Sequence, residues 1–413
     1  MDRGHRWLGV GHSTERDPHR AGREAAGRAL RATDPALLIV FVSGAADPTA
    51  LLHGIAEVCP GVPLIGCSSE LLVTVDGAAL HGVVVTALGG PGFTVRTAAG
   101  SCADGAQRQG GEAVARCGLD PVFGAAPGAP VGPDGGFGAH GDGGTGHRSH
   151  RMLVLLTDGW LADQEEILAG AYGVLGASIP MIGGSASPDP AARRPFLLHG
   201  PEVLTDAAVG AVVSSTGPLG FGIRHGWRRV GEPMIVTQSA GGRVCTLDDR
   251  PAVQAYLDRY DAPGPAYTDP AVFEVFAQSR PIGVRRRHGV EVRSVSSSTS
   301  FADGRLYPSG EVPEGALVWL MEGDAESAVA AAADACRDAV QALGGGAPLG
   351  LIAFDCVSRS HMLGERGTRR EVRRMREHIG DAPLTGVYTW GEILRTLGMN
   401  GYHNQTLAVL AVG

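Results

Sequence analysis

A pattern that occurs three times limits the folds open to this sequence: an apolar run, an amphipathic helix, and a second apolar run that opens on Pro-x-x-Gly. The three copies occupy residues 37–66, 152–183 and 349–386. A further apolar run follows each copy, over 83–88, 207–214 and 406–412. Alternating strands and helices are typical of α/β proteins. The pattern predicts mixed β-sheets layered with helices, built from repeated strand–helix–strand units in two domains.

Capping residues predict where the three helices begin. Asp47 precedes Pro48 at the start of the first helix, and Asp163 takes the same place before the second. Thr368 and Glu371 have the spacing of a capping box, which predicts that the third helix begins there.

Two other stretches do not follow the pattern. The runs 234–238 and 243–247 flank Ala240-Gly241-Gly242, which predicts a β-hairpin, and a helix is expected over 251–260. A strand over 318–321 and a long helix after Asp324 complete this region. Residues 124–150 are mostly Gly, Pro, Ala and His. Such a composition buries too little apolar surface to offset the entropy of ordering, so we predict a flexible insertion.

The basic residues exclude several chemistries. All 35 of them are arginine, and lysine does not occur. A phosphate-binding P-loop, a pyridoxal enzyme and a Schiff-base aldolase each need a lysine amine. The net charge of −8 argues against nucleic acid as a partner. The arginines at 285–287 and within 366–376 are interpreted as solvated faces.

The cysteines and the apolar runs indicate a cytoplasmic protein. Seven cysteines form no Cys-x-x-Cys pair, which makes a disulfide framework or a structural zinc site improbable and favours a reducing compartment. The first eleven residues do not resemble a signal peptide, and no apolar run reaches about 18 residues. We therefore expect no membrane partner.

Polar residues gather near the strand ends of the third copy. Cys356 leaves the end of an apolar strand, and Arg359 follows three residues later. A guanidinium beside a thiol lowers the thiol's pKa and can bind a carboxylate through two hydrogen bonds. The alternative is a buried, inert cysteine. Glu392 and the run 403–406 lie near two further strand ends, which predicts a hydrogen-bonded cluster.

These segments resemble a known family. The segments 351–359, 386–392 and 403–406 are similar to the C-terminal domain of FIST proteins, and Phe41, 65–68 and 182–184 are similar to the N-terminal FIST domain. The segment 236–252 resembles the joint between the two domains. The resemblance implies an N-terminal domain of two units, 1–123 and 151–232, separated by the insertion 124–150, and a C-terminal domain over 233–413.

The resemblance implies a sensory module of signal transduction that binds a small metabolite such as an amino acid. Many relatives are fused to kinase, chemoreceptor or cyclic-dinucleotide domains. A chain of 413 residues leaves no room for such a domain, so we expect a separate signalling partner, such as a kinase, a cyclase or a receptor. Relatives usually carry a smaller residue or Ser before the cysteine, where this chain has Asp355, whose charge would disfavour an anionic ligand beside Cys356 unless Arg359 neutralises it.

The resemblance and the polar residues together predict the ligand site. Arg359 would hold an acidic group and Glu392 an amine, which suits a zwitterion. The predicted ligand-binding residues are Cys356, Arg359, Tyr388, Glu392, His403, Asn404, Thr406, Gly184 and Ser185. Two alternatives stay open: a haem-based gas sensor, and an enzyme that uses the thiolate of Cys356. The candidate haem ligands are His403, His225 and His199.

Overall fold

A computed structural model describes residues 5–123, 150–286, 289–295, 303–396 and 401–413. Within these ranges the chain forms eight α-helices and four sheets of six strands each, three of them mixed and the fourth antiparallel. The predicted α/β class, with sheets layered against helices, is confirmed. The predicted insertion lies outside the described residues except for His150, which begins a strand.

Three of the sheets belong to three equivalent units. The first unit consists of β1 (Trp7–Ser13), α1 (Pro18–Ala29), β2 (Pro35–Ser43), α2 (Pro48–Val58), β3 (Leu64–Ser68), β4 (Leu72–Thr74), β5 (Gly77–Ala79) and β6 (Gly82–Gly89). The second consists of β7 (Phe93–Ser101), α3 (Gln107–Arg116), β8 (His150–Asp158), α4 (Gln164–Leu175), β9 (Met181–Ala186), β10 (Leu197–His199), β11 (Glu202–Leu204) and β12 (Ala207–Ser215).

The third unit is interrupted by an inserted region. It begins with β13 (Leu219–Arg224), and the insertion follows as β14 (Arg228–Ala240), β15 (Arg243–Leu247), β16 (Arg250–Pro251), α5 (Ala252–Arg259), α6 (Pro270–Gln278), β17 (Ile282–Arg286), β18 (Gly289–Arg293) and β19 (Leu317–Glu322). The unit then resumes with α7 (Ala325–Gln341), β20 (Gly350–Cys356), α8 (Val357–Arg376), β21 (Leu384–Thr389), β22 (Gly391–Arg395), β23 (Tyr402–His403) and β24 (Leu407–Val412).

The units exchange their short hairpins in a closed cycle. The strand orders are β1-β6-β2-β3-β10-β11, β7-β12-β8-β9-β22-β23 and β13-β24-β20-β21-β4-β5. In each sheet the two strands of the repeated pattern are parallel and the closing strand is antiparallel to the first. The hairpin of the first unit completes the third sheet, that of the second completes the first, and that of the third completes the second. Each sheet is therefore incomplete without another unit.

The Pro-x-x-Gly motif serves the same purpose in all three units. The carbonyl oxygen of each proline accepts a hydrogen bond from a backbone amide of the first strand, with a nitrogen–oxygen distance of 2.8–2.9 Å. This bond is the first of the parallel ladder. A Cβ on any of the three glycines would overlap a carbonyl oxygen of the parallel neighbour. The glycines are Gly66, Gly183 and Gly386. The motif thus marks the point where two parallel backbones approach most closely.

The central core lies where the three sheets meet. It contains buried residues from every unit, among them Ile39, Val154 and Ile352. Phe41 of the first unit packs edge-to-face on Phe354 of the third, with ring centroids 5.9 Å apart. Separate apolar clusters lie under the three helix pairs, α1–α2, α3–α4 and α7–α8.

One of the three predicted helix starts is confirmed in full. The side chain of Asp47 accepts a hydrogen bond from the Ala50 amide at 2.9 Å. Asp163 does precede α4, but its backbone is left-handed and its side chain makes no capping bond. The capping box at Thr368 and Glu371 is wrong. The helix begins at Val357 and bends at Gly364, and Glu371 turns inward to an arginine.

The inserted region forms the fourth sheet, in the order β16-β15-β14-β19-β17-β18, with its own core against α5 and α6. The predicted hairpin of β14 and β15 and the predicted helix α5 are confirmed. The long helix after Asp324 is also confirmed, with a capping box between Asp324 and Ser327. No helix of the described ranges has the length and apolar character needed to cross a bilayer.

Candidate functional site

Strand alternation separates the predicted site residues into two clusters. On β20 and β21, Phe354 and Val387 point into the central core, whereas Tyr388 points toward α7 and α8. Successive residues of a strand face opposite sides. Cys356 and Thr389 therefore lie on the core side, where Thr389 contacts Glu392 and Glu392 contacts Thr406. Together with the adjoining Asn404 and Gln405, we call these residues the axial cluster. Asp355, Arg359, Glu371 and Tyr388 lie on the other side, which we call the helix-side cluster.

Arg359 is fully enclosed in the helix-side cluster. Its Nε donates to Asp355 at 2.8 Å, and one Nη forms an ion pair with Glu371. Its remaining N–H groups reach the carbonyl oxygens of His225 at 3.2 Å and Ala328 at 3.1 Å. The side chain has no solvent exposure. In this geometry the guanidinium does not face a ligand, and the expectation that it lies beside the thiol of Cys356 is wrong.

The two carboxyl groups around Arg359 compete for one proton. Burial raises the pKa of Asp355, and the positive charge of Arg359 only partly opposes this. Burial also raises the pKa of Glu371, with the neighbouring charge of Asp355 as the second cause. Because one guanidinium balances one negative charge, ionisation of both carboxyl groups would leave this buried cluster with an excess negative charge. Arg359 is thus the cation that faces the extra charge of Asp355.

Glu392 is the centre of the axial cluster. One carboxyl oxygen lies 2.9 Å from the Thr389 hydroxyl, and the other accepts from the amide and the hydroxyl of Thr406 at 3.1 and 2.8 Å. Burial raises the pKa of Glu392 to about 8. The Thr389 hydroxyl also lies 3.1 Å from the carbonyl oxygen of Asp355, which can only accept. Since that hydroxyl has one proton to donate, a protonated Glu392 donates to it.

Cys356 is a thiol rather than a reactive thiolate. Its sulfur accepts a hydrogen bond from the Gln405 amide at 3.3 Å and is buried. Burial raises the pKa of Cys356, and Glu392, when it is ionised, raises it further. The expectation of a lowered pKa is therefore wrong, and the protonation state disfavours an enzyme built on this thiolate.

The second unit contributes the opposite wall of the axial cluster. Glu392 pairs with Gly184 and with His403 across the sheet, and Ser185 pairs with the residue before Glu392. The Ser185 hydroxyl lies 2.8 Å from that of Thr157. A Cβ on Gly184 would lie 2.6 Å from the Thr389 methyl group, so glycine is required for this approach.

Two buried oxygens of the axial cluster lack a hydrogen-bond donor among the described residues. Asn404 donates to the Trp390 carbonyl oxygen at 3.4 Å, but its Oδ1 is unpaired. Gln405 donates to the Gln278 carbonyl oxygen at 3.3 Å, and its Oε1 is unpaired. Each side chain is 1% exposed. A buried acceptor without a donor costs about 1–3 kcal/mol, so the pair marks a place for a missing partner.

Seven of the nine predicted ligand-binding residues therefore lie in or beside the axial cluster, and two lie in the helix-side cluster. Tyr388 is one of the two, and its buried hydroxyl has no partner among the described residues. Sequence reasoning missed Thr157, Gln164 and Tyr402, whose side chains all contact Ser185. It also left Gln405 out of the site, although the run 403–406 contains it.

The three candidate haem ligands lie in different surroundings. His403 bonds to the Leu394 carbonyl oxygen at 3.0 Å, and His199 lies 3.2 Å from the Thr97 hydroxyl. His225 accepts from the Trp227 amide at 2.9 Å. In the described part of the chain, no three His, Cys, Asp or Glu side chains are grouped as metal ligands. The haem alternative stays a prediction.

Fold and site define an α/β protein that gathers polar side chains at the carboxyl ends of its strands, where α/β proteins bind ligands. Family models match nearly the whole chain, the FIST N domain over residues 36–250 and the FIST C domain over 252–395. The chain therefore belongs to the FIST family, whose domains are associated with sensory signal transduction. No curated protein shows a significant match.

Proposed function

We propose that this protein is a sensory ligand-binding protein of signal transduction, and that the axial cluster binds a small metabolite with an amino group, such as an amino acid. The observation behind the proposal is the pair of buried acceptors, Asn404 Oδ1 and Gln405 Oε1. An ammonium group is a donor of three hydrogen bonds and accepts none. It would supply the donor that such an oxygen lacks, and we place its charge near Glu392.

The enclosed Arg359 revises the ligand chemistry. Its guanidinium already meets Asp355, Glu371 and two carbonyl oxygens. The ligand's carboxylate therefore does not bind to Arg359, and the contacts of the amino group determine which ligands bind. An amino acid and the amine formed by its decarboxylation should bind with affinities within about threefold of each other.

Glu392 makes the proposed binding depend on pH. Burial raises its pKa to about 8, so at neutral pH the carboxyl group is mostly protonated. An ammonium ion favours the ionised form, and binding below pH 8 therefore requires that a proton leaves. Affinity should rise by up to about tenfold per pH unit between pH 6 and 8 and level off above.

Differential scanning fluorimetry of the full chain tests the proposal, with a panel of amino acids and matched amines. Asn404→Leu removes the unpaired oxygen and keeps the approximate shape of the side chain. Its own melting temperature should change little, because removal of an unpaired buried acceptor offsets the loss of the long bond to the Trp390 carbonyl oxygen. The shift caused by an amine should disappear. The matched control is Gln109→Leu on the exposed face of α3, which should leave the shift intact.

Two results would refute the proposal. One is that no compound shifts the melting temperature at concentrations of about 1–10 mM, where a ligand with a micromolar dissociation constant would saturate the site. The other is a shift that Asn404→Leu leaves unchanged. The proposal includes a cytoplasmic location, supported by seven free cysteines, and a separate kinase, cyclase or receptor as the signalling partner.

A further inference from the structure

A cleft lies between the third unit and the fourth sheet, remote in sequence from the axial cluster. It is bounded by the segment that joins β13 to β14, by the hairpin of β17 and β18, and by β19. Its volume is about 810 Å³. Clefts of about 300–1,000 Å³ accommodate small organic molecules.

The charged residues that line the described part of the cleft are positive. Its described lining contains four arginines and no carboxylate: Arg228, Arg229, Arg285 and Arg286. Arg228 and Arg286 form ion pairs at the rim with Glu322 and Glu291. Arg229 and Arg285 form no ion pair with any described residue, so the cleft has two uncompensated guanidinium groups. The sequence-based interpretation of the run 285–287 as a solvated face did not consider this arrangement, and Arg287 lies outside the described residues.

The neutral polar groups of the cleft are hydrogen-bond donors. The Nδ1 of His225 accepts from the Trp227 amide, and burial together with the charge of Arg359 lowers the pKa of His225 to about 4. The ring is therefore neutral at pH 7, with its proton on Nε2, which can only donate. The indole N–H of Trp227 is buried without an acceptor among the described residues, and Trp227 is 6% exposed. An acceptor is the missing partner.

One wall of the cleft is apolar and flat. Trp319 and Met321 project from β19 on the side opposite the core of the fourth sheet, together with Val290. The guanidinium of Arg229 lies 5.2 Å from the centre of the Trp319 ring. Gly283 has no side chain, which lets Met321 and Val290 close over the strand, since a Cβ there would lie 2.5 Å from each. A planar group can stack on this wall.

We infer that this cleft binds a small organic anion that carries a phosphate or carboxylate group beside a planar part. Guanidinium groups bind both oxyanions through paired hydrogen bonds, and the donors of Trp227 and His225 add to them. The planar part would lie against the wall formed by Trp319 and by the Arg229 guanidinium that lies over its ring. This site is additional to the axial cluster, because the two attract groups of opposite charge.

Isothermal titration calorimetry of the full chain tests the inference with four probes: adenosine monophosphate, adenosine, benzoate and inorganic phosphate. Adenosine monophosphate or benzoate should bind, and should bind more weakly as salt is raised. Adenosine should bind at least about tenfold more weakly than its phosphate. Preference between adenosine monophosphate and benzoate distinguishes a phosphate ligand from a carboxylate ligand. Inorganic phosphate should bind weakly, since it lacks the planar part.

Arg285→Gln is the decisive variant, because Arg285 is exposed and its loss should not affect folding. It should weaken binding of the anion about tenfold, and Arg229→Gln should do the same. Arg23→Gln, on the exposed face of α1, is the matched control and should change nothing. The inference fails if no anion binds at about 1 mM, if adenosine binds as well as its phosphate, or if Arg285→Gln leaves the affinity unchanged. Asn404→Leu should not alter this binding, which separates this test from that of the axial cluster.

Discussion

Replacing Glu392 with glutamine tests whether the axial cluster contains a neutral carboxyl group. The pKa of Glu392 rises from 4.5 to about 8 through burial. The folded protein therefore keeps a proton that the unfolded chain releases between those two values, so stability falls as pH rises through this window. At about 1.4 kcal/mol per tenfold change in proton affinity, the loss between pH 5 and 8 is about 3.5 kcal/mol. Glutamine resembles the protonated acid and does not titrate.

The assay is urea unfolding of both proteins at pH 5, 6, 7 and 8. Glu392→Gln should match the wild type near pH 5, because the amide can donate to Thr389 and accept from Thr406 as the protonated acid does. At pH 8 the variant should be the more stable of the two by about 3.5 kcal/mol. Taking the difference between the proteins cancels the titration of Asp355 and Glu371. Glu202→Gln, at an exposed position, is the matched control.

If the difference in unfolding free energy between the wild type and Glu392→Gln stays constant from pH 5 to 8, Glu392 does not have the raised pKa. The same follows if the variant loses stability relative to the wild type as pH rises. Either result would mean that Glu392 is ionised in the folded protein, and that its hydrogen bonds outweigh the cost of burying the charge.

The remaining predictions concern the repeat and the thiol. Gly386→Ala should destabilise the protein by about 3 kcal/mol or more in urea unfolding, because its Cβ would overlap the Ala353 carbonyl oxygen. Gly173 lies in a helix with open space around it, so Gly173→Ala should be neutral or stabilising by up to about 1 kcal/mol. Equal losses of unfolding free energy at both sites would contradict the role of Gly386 in the close approach of the strands. Cys356 should react with iodoacetamide at pH 7.5 far more slowly than the half-buried Cys245 in peptide mapping, and faster labelling of Cys356 would reopen a catalytic role.

The repeat could be predicted from the sequence because it is local. Apolar runs, helical periodicity and the Pro-x-x-Gly motif all lie within about 40 residues, and each has a physical cause in the parallel ladder. The exchange of hairpins could not be predicted in this way. The hairpin β4–β5 follows β3 after three residues, yet it pairs with β21, more than 300 residues away. Only the closed arrangement of the three sheets determines that pairing.

Only part of the site could be predicted from the sequence, as Cys356, Glu392 and Arg359 show. Cys356, Glu392 and Thr406 do meet, because β20 ends, β22 begins just after β21 and the antiparallel β24 begins at the same edge of the sheet. Cys356 and Arg359 do not meet, because the helix begins directly after the cysteine and turns Arg359 to the other side of the sheet. The sequence-based prediction assumed that Arg359 lies near Cys356 in space because the two are close in sequence.

The most direct test of the account is whether an amine that binds the wild type displaces a proton from Glu392. Calorimetric titration at pH 7 in two buffers with different enthalpies of ionisation measures the number of protons released. The account predicts a release approaching one proton for the wild type and none for Glu392→Gln, because at pH 7 the carboxyl group with a pKa of about 8 is mostly protonated before binding. Binding with no proton release from the wild type, or with equal release from both proteins, would contradict the placement of the ligand's amino group beside Glu392.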